Sequence, residues 1–432
     1  MKSRKIVTCI IIFIIGVSSA FAQFSIDNYA LCHLNIVDVN AKRILEDYTI
    51  VIQNGKIQNI LPSKDYIPND SVQSIVLRNK FVVPGLIDAH VHFVTNPTEE
   101  RRDNAEKVLK AMLLTGVTSV RDMAGDARAL ASLSRDALVG DIVAPNIYYS
   151  SLMAGTSFFT DPRTIEAAQG GVSGKMSYMK AIDSTSNIPL EVAEAKGTGA
   201  AGIKMYTSLT NTEIVKIVEE AKKQNMPVWA HASLQLTKPS EVVSSGVISI
   251  SHADLLVNDM DKNNDLIKTW ASHIPGTTEK LYWDKEFAKL DFTALYKLMI
   301  KNNVVLDATI SVLKMLGSNP QKLWFYEMGK RITQQANKAG VLIDAGSDSD
   351  QETFVQYEMK LLINDCGFSP MEAIIAATKY SAMATGIFNQ EGSIEIGKKA
   401  NLLFLNSDPT KNINNIDDVL LVIKNGKLYN PK

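Results

Sequence analysis

Cysteine is scarce in this chain, with three among 432 residues. One of them, Cys9, sits in an N-terminal apolar run. Cys32 and Cys366 are so far apart in sequence that no disulfide framework can be read, which excludes a small stapled fold and leaves both as expected buried thiols. An excess of either charge is also lacking. With 45 basic against 46 acidic side chains, no basic surplus calls for nucleic acid. Apolar stretches of the roughly 20 residues that a membrane span needs are missing too. The 21% charged and 46% hydrophobic composition is that of an ordinary globular chain, and the length is ample for a large buried core.

The first residues have a composition of their own. Lys2, Arg4 and Lys5 precede an apolar run over 6–17, and the small residues Ser18, Ser19, Ala20 and Ala22 follow. This is the pattern of a secretory signal peptide over 1–22, with cleavage expected after Ala20-Phe21-Ala22. The mature chain is then expected to be periplasmic or secreted, with no stable membrane anchor, and mildly acidic.

From 29 to 80 the sequence reads as short strands and turns, with Asn54-Gly55 as a hairpin signal. The same texture returns after residue 391, where Asn425-Gly426 repeats the signal. The two ends, 23–80 and 391–432, are expected to pair into one β-sandwich. Between them, over 81–390, strand-like runs alternate with helical ones, at 85–92, 117–122, 146–152, 201–206, 227–232, 247–253, 304–309 and 341–347. Eight such strands predict an α/β fold of the (β/α)8 TIM-barrel type. Helices are expected over 98–114 and 212–224, the second with Asn211 and Thr212 as capping candidates. The long excursion over 258–300, with a helical pattern near 283–300, reads as a lid, a substrate wall or a peripheral decoration.

Histidine is rare as well, at six residues, so each position carries information. In "VVPGLIDAHVH" a buried strand ends in His90 and His92. Residues two apart on a strand share a face, so both imidazoles project together at the end where such barrels build their sites. His231 in "MPVWAHAS" and His252 in "VISISHADLL" fall near the ends of the fifth and sixth strands. Asp348 in "VLIDAGSDSD" adds a carboxylate at the eighth. Four imidazoles and a carboxylate on one rim suit a divalent first-row metal ion.

This arrangement resembles the amidohydrolase superfamily, and "GVTSVRDM", "SHADLL", "SPMEAIIAAT" and "IGKKANLLFLNSDP" are similar to its imidazolonepropionase-like members. The resemblance spans nearly the whole mature chain. It implies that His90 and His92 bind the more buried of two metals and that His231 and His252 bind the more exposed one. It further implies that Lys204, in "AAGIKMYT", is carboxylated to bridge both, and that Asp348 is a ligand as well as the general base and acid. The implied ions are divalent, with zinc the first choice. Two such ions lower the pKa of a shared water toward neutrality. The implied reaction is hydrolysis of a carbon–nitrogen bond in a small molecule, including dipeptide-like amides, since exported relatives include dipeptidases. Tyr206, Arg121 and Trp229 are candidate substrate contacts. Tyr206 could donate to an oxyanion or serve packing, Trp229 could wall the pocket, and Arg121 could pair either a substrate carboxylate or an internal acid. His33 and His273 fall outside the pattern. A lactonase or a deaminase on the same barrel is the rival within enzymes, although "WAHASLQL" lacks the glutamate a deaminase places near the fifth-strand histidine. An exported binding protein without chemistry is the rival outside them.

Overall fold

The computed structural model describes residues 28–93, 99–261, 265–273, 279–349 and 354–431. The expected signal peptide lies outside these residues. No described helix is long and apolar enough to cross a membrane.

Eight parallel strands form the centre, numbered β1 (Leu86–Val91), β2 (Val117–Asp122), β3 (Asn146–Gly155), β4 (Gly202–Met205), β5 (Val228–His231), β6 (Ser249–Ser251), β7 (Val305–Asp307) and β8 (Ile343–Asp344). Each falls within or across one of the eight runs expected from sequence. They pair in sequential order, and β8 returns to β1. The Ala89 amide donates to the Ala345 carbonyl at 3.1 Å, that of Asp348 to His90 at 2.8 Å and that of His92 to Ser349 at 3.0 Å. The result is a closed (β/α)8 barrel. Its strands are buried on both faces, as parallel strands covered by helices must be.

The helices follow their local chemistry. Asn211–Lys223 starts one residue earlier than the periodicity suggests, because Thr210 rather than Asn211 or Thr212 is the cap. Thr210 and Glu213 exchange side-chain and backbone hydrogen bonds in a capping box. The helical pattern near 283–300 is two helices, Glu279–Phe287 and Thr293–Asn302.

The chain's two ends build a second unit. Strands Asn28–Asp38, Arg43–Gln53, Lys56–Pro62 and Gln73–Pro84 join Leu402–Leu405, Val419–Lys424 and Lys427–Tyr429 in one seven-stranded path. Both hairpin signals are realised. Asn54 and Gly55 have φ of 51° and 74°, and Asn425 and Gly426 have 51° and 78°, the paired left-handed conformations of the tight turn that matches strand twist. Tyr29, Leu34, Ile50, Val82, Leu402 and Phe404 share its core. Cys32 and Cys366 are both buried, in different clusters.

Two buried polar contacts lock this unit to the barrel. The Lys424 ammonium donates to the Ala137 and Ala144 carbonyls at 2.7 Å each. Glu391 accepts from the Tyr148 hydroxyl at 2.7 Å and from Lys399 at 3.0 Å.

Candidate active site

Strand ends deliver the side chains. His90 and His92 close β1 on one face, with ring centroids 5.2 Å apart. His252 lies 5.2 Å from His90 and 4.6 Å from His231, so four imidazoles form one continuous group. Asp348 joins them from just beyond β8. Its Oδ1 is 3.2 Å from His92 Nε2 and 3.5 Å from His90 Nε2, and its Oδ2 is 3.7 Å from His252 Nδ1. Lys204 is fully buried on β4, and its Nζ donates to Ser251 Oγ at 2.9 Å. All six residues singled out as ligands by sequence therefore lie together at the C-terminal mouth of the barrel.

The backbone is strained where these groups emerge. His252 (φ 74°), Thr309 (φ 52°) and Asp348 (φ 50°) are left-handed non-glycine residues just past the ends of β6, β7 and β8. Such conformations cost about 1–3 kcal/mol each and persist where surrounding structure enforces them. Here they turn side chains inward that a continuing strand would carry past the rim.

Beneath the mouth runs a buried hydrogen-bond chain. Asp307 Oδ2 lies 2.6 Å from His90 Nδ1 and accepts from Ser251 Oγ at 2.9 Å, and Ser251 in turn accepts from Lys204. The carboxylate assigns the proton of His90 to Nδ1 and leaves the Nε2 lone pair facing Asp348. Thr309 Oγ1 is 2.9 Å from His252 Nδ1. A Cβ on Gly346 would come 2.4 Å from Asp307 Oδ1 and 2.6 Å from His90 Cβ, so only glycine lets β8 pass this close.

Electrostatics set the protonation states. Burial pushes His252 down to about 3 and His231 well below its usual value, so both are neutral donors of a lone pair at neutral pH. Burial alone would raise Asp348, but the facing imidazoles of His90, His92 and His252 outweigh it and hold the carboxyl below its ordinary range. Burial lowers Lys204 to about 7, against the opposing pull of Asp307.

The donor set fits a divalent cation. His90, His252 and Asp348 can each place a ligand atom within 4.8 Å of the others. Imidazole nitrogens facing one carboxylate oxygen at the distances above repel it unless a proton or a cation lies among them.

Above this group a cavity of about 330 Å³ opens. His92, His252, Asp348 and Tyr206 face it. Met123, Leu152, Phe158, Ala167 and Met179 give it an apolar side, and Arg163 lies in its wall. Tyr206 stacks on Phe158 with ring centroids 4.5 Å apart and meets His231 at a tilt of 48°, with centroids 4.0 Å apart.

Two expected substrate contacts lie elsewhere. Arg121 is fully buried inside the barrel, where it donates to the Ala89 and Ala384 carbonyls and faces Asp307 at 3.4 Å and Asp344 at 3.8 Å. It is an internal ion pair and not a substrate contact. Trp229 is also fully buried, with its Nε1 donating to the Ala384 carbonyl at 2.6 Å and the Arg121 guanidinium 5.1 Å from its ring centre, and it does not line this cavity. Side chains two residues before a strand's rim share its face but fill the layer below. The excursion over 258–300 contributes nothing to the cavity lining among the described residues. Trp270 packs instead against Trp283 and against Trp324 on the helix Leu323–Ala339. His33 pairs with Asp47 and His273 stacks on Tyr282, both away from the mouth.

Residues 81–429 match the Amidohydrolase family. The chain belongs to that family. Across 89% of its length this amidohydrolase is 25% identical to ochratoxinase from Aspergillus niger, of which it covers 83%. Two solved structures share its fold. The crystal structure of A. niger ochratoxinase has a TM-score of 0.73 at 21% identity, covering 94% of this chain and 96% of that one. That of a Xaa-Pro dipeptidase with bound methionine in its active site has a TM-score of 0.73 at 22% identity, covering 93% and 100%. As an amidohydrolase, the protein is a hydrolase acting on carbon–nitrogen bonds.

Proposed function

We propose that the protein is an exported, metal-dependent amidohydrolase that cleaves the amide of a small N-acyl amino acid or dipeptide-like molecule. A binuclear centre, with zinc the first candidate, would be held by His90, His92, Lys204, His231, His252 and Asp348. The position of Asp348, whose carboxylate oxygens face the His90, His92 and His252 imidazoles at 3.2–3.7 Å, is the single observation that carries this reading. The basic, apolar and small-residue succession over 1–22 supports export to the periplasm or beyond.

Bound divalent cations would supply Lewis acidity to the scissile carbonyl and acidify the attacking water. The chain's own groups do the rest. An Asp348 oxygen takes the proton of the attacking water and returns it to the departing nitrogen, so one carboxylate acts first as base and then as acid. Asp307 holds His90 in one tautomer throughout. The Tyr206 hydroxyl, kept protonated because burial raises its pKa, remains a hydrogen-bond donor at the cavity mouth. Met123, Leu152 and Phe158 limit water on the far side.

Lys204 suits carboxylation. Its amine, neutral in part at pH 7, adds to the carbon of carbon dioxide, forming a C–N bond and losing one proton. The carbamate brings two oxygen ligands where an ammonium offers only donors.

A panel of N-acyl amino acids and dipeptides, assayed with the metal-loaded mature chain and with Asp348→Asn, tests the reading. It expects at least one amide to be turned over, and its turnover to fall by several orders of magnitude in the variant. Cleavage confined to lactones or cyclic imides would overturn the substrate assignment.

A further inference from the structure

Arg163 takes no part in the hydrolytic centre, yet it is the single Lys or Arg among the described residues lining the cavity. It is delivered by the segment after β3, where the short helix Pro162–Ala167 is capped by Asp161. That same Asp161 grips the guanidinium, through Nε at 3.1 Å and Nη2 at 2.8 Å. Asp161 Oδ1 also accepts from the Arg163 amide at 2.9 Å, so carboxylate, helix start and guanidinium are fixed as one piece. A guanidinium has five N–H donors in a planar fork, and Asp161 engages one edge.

The other neighbour is Tyr206. Its hydroxyl feels the charges of Arg163 and Asp161 on one side and of Asp348 on the other, and its ring rests on His231. Tyr206 therefore spans from the hydrolytic centre to the arginine. Beside this polar edge lie Leu152, Phe158, Ala167 and Met179, all apolar. The cavity thus offers a cation and a hydroxyl at one edge, an apolar flank, and a hydrolytic floor.

We propose that Arg163 and Tyr206 form a carboxylate-binding subsite that selects amides carrying a free carboxylate and an apolar side chain. The inference rests on the reading of the histidine and aspartate group as the hydrolytic centre, whose substrate class it narrows. A planar fork meets a carboxylate through paired charge-assisted hydrogen bonds, and the Tyr206 hydroxyl adds a third donor. A carboxamide in the same place keeps the shape but loses the charge. Because the Arg163 side chain is 63% exposed, solvent screens part of the attraction. The expected preference for acid over amide is therefore about tenfold to thirtyfold in KM or Kd.

The test compares N-acetyl-L-leucine with N-acetyl-L-leucinamide. Binding is measured by calorimetry in the full mature chain carrying Asp348→Asn, which stops turnover, with and without Arg163→Met and Arg163→Lys. Initial rates are measured in the otherwise native chain with the same Arg163 substitutions. The subsite predicts that Arg163→Met weakens the acid by about tenfold, leaves the amide unchanged and raises KM more than it lowers kcat. Arg163→Lys should recover part of the loss. Equal affinity for acid and amide in the unsubstituted background, or equal loss of both in Arg163→Met, would overturn the subsite. Acid preference in binding without any turnover would leave the subsite standing and count against the hydrolytic reading instead.

Discussion

Asp307 and His90 meet at 2.6 Å beneath the site, with both side chains almost wholly buried. The carboxylate does not reach the cavity. It acts by fixing the orientation of an imidazole that faces Asp348, which does.

Asp307→Asn keeps the shape and removes the charge, so His90 loses its fixed tautomer and some basicity. Metal affinity or hydrolytic activity should fall by about 10- to 100-fold, with the fold retained. Competition against a chelating dye, read beside circular dichroism, checks this. Unchanged affinity would mean that the contact is only structural.

Arg121 gives the opposite pattern. With Asp307 and Asp344 around it in a fully buried layer, Arg121→Met strands acidic groups without a cation. Destabilisation of about 3–5 kcal/mol is expected by urea unfolding. A substrate-binding role would instead raise KM and leave the unfolding midpoint in place.

Much of this was legible in the chain itself. The eight strand runs and both Asn-Gly turns appear where periodicity and turn chemistry put them, and the alternation rule alone put His90 and His92 on one face. Depth was not legible. Parity assigns Arg121 and Trp229 to the barrel interior, yet it says nothing about which layer they fill, and both lie one layer too low to touch a ligand. Asp307, Ser251 and Thr309 were missed because β6 and β7 are three residues long, too short for alternation to mark the polar ones. The one available signal was an acid, Asp307, near the end of an otherwise apolar strand run. Arg163 arrives on a loop and a six-residue helix, whose approach to the mouth no periodicity encodes.

The helices of the 258–300 excursion are a packed buttress. Trp270 is 1% exposed and sits among Trp283, Trp324 and Glu286. Trp270→Ala should cost about 3–5 kcal/mol in stability and leave KM unchanged at temperatures where the variant is folded. A change in KM without loss of stability would restore the lid reading.

Lys204 offers a test with a defined sign. Carboxylation needs the neutral amine, and with the pKa lowered to about 7 the neutral fraction rises as pH rises through 7. Enzyme stripped of metal and carbon dioxide should therefore regain activity faster at pH 8 than at pH 6 when both are restored at a fixed dissolved carbon dioxide concentration. Lys204→Ala should not respond to carbon dioxide. Equal reactivation in carbon dioxide-free buffer would remove the carbamate from the scheme.

The central claim is that the histidine and aspartate group at the barrel mouth works by holding divalent metal. Elemental analysis of the purified mature chain, paired with amide hydrolysis before and after chelation, tests it most directly. The account predicts about two divalent ions per chain, loss of both ions and activity on chelation, and recovery on adding zinc. Less than one ion per chain, with hydrolysis that persists through chelation, would contradict it.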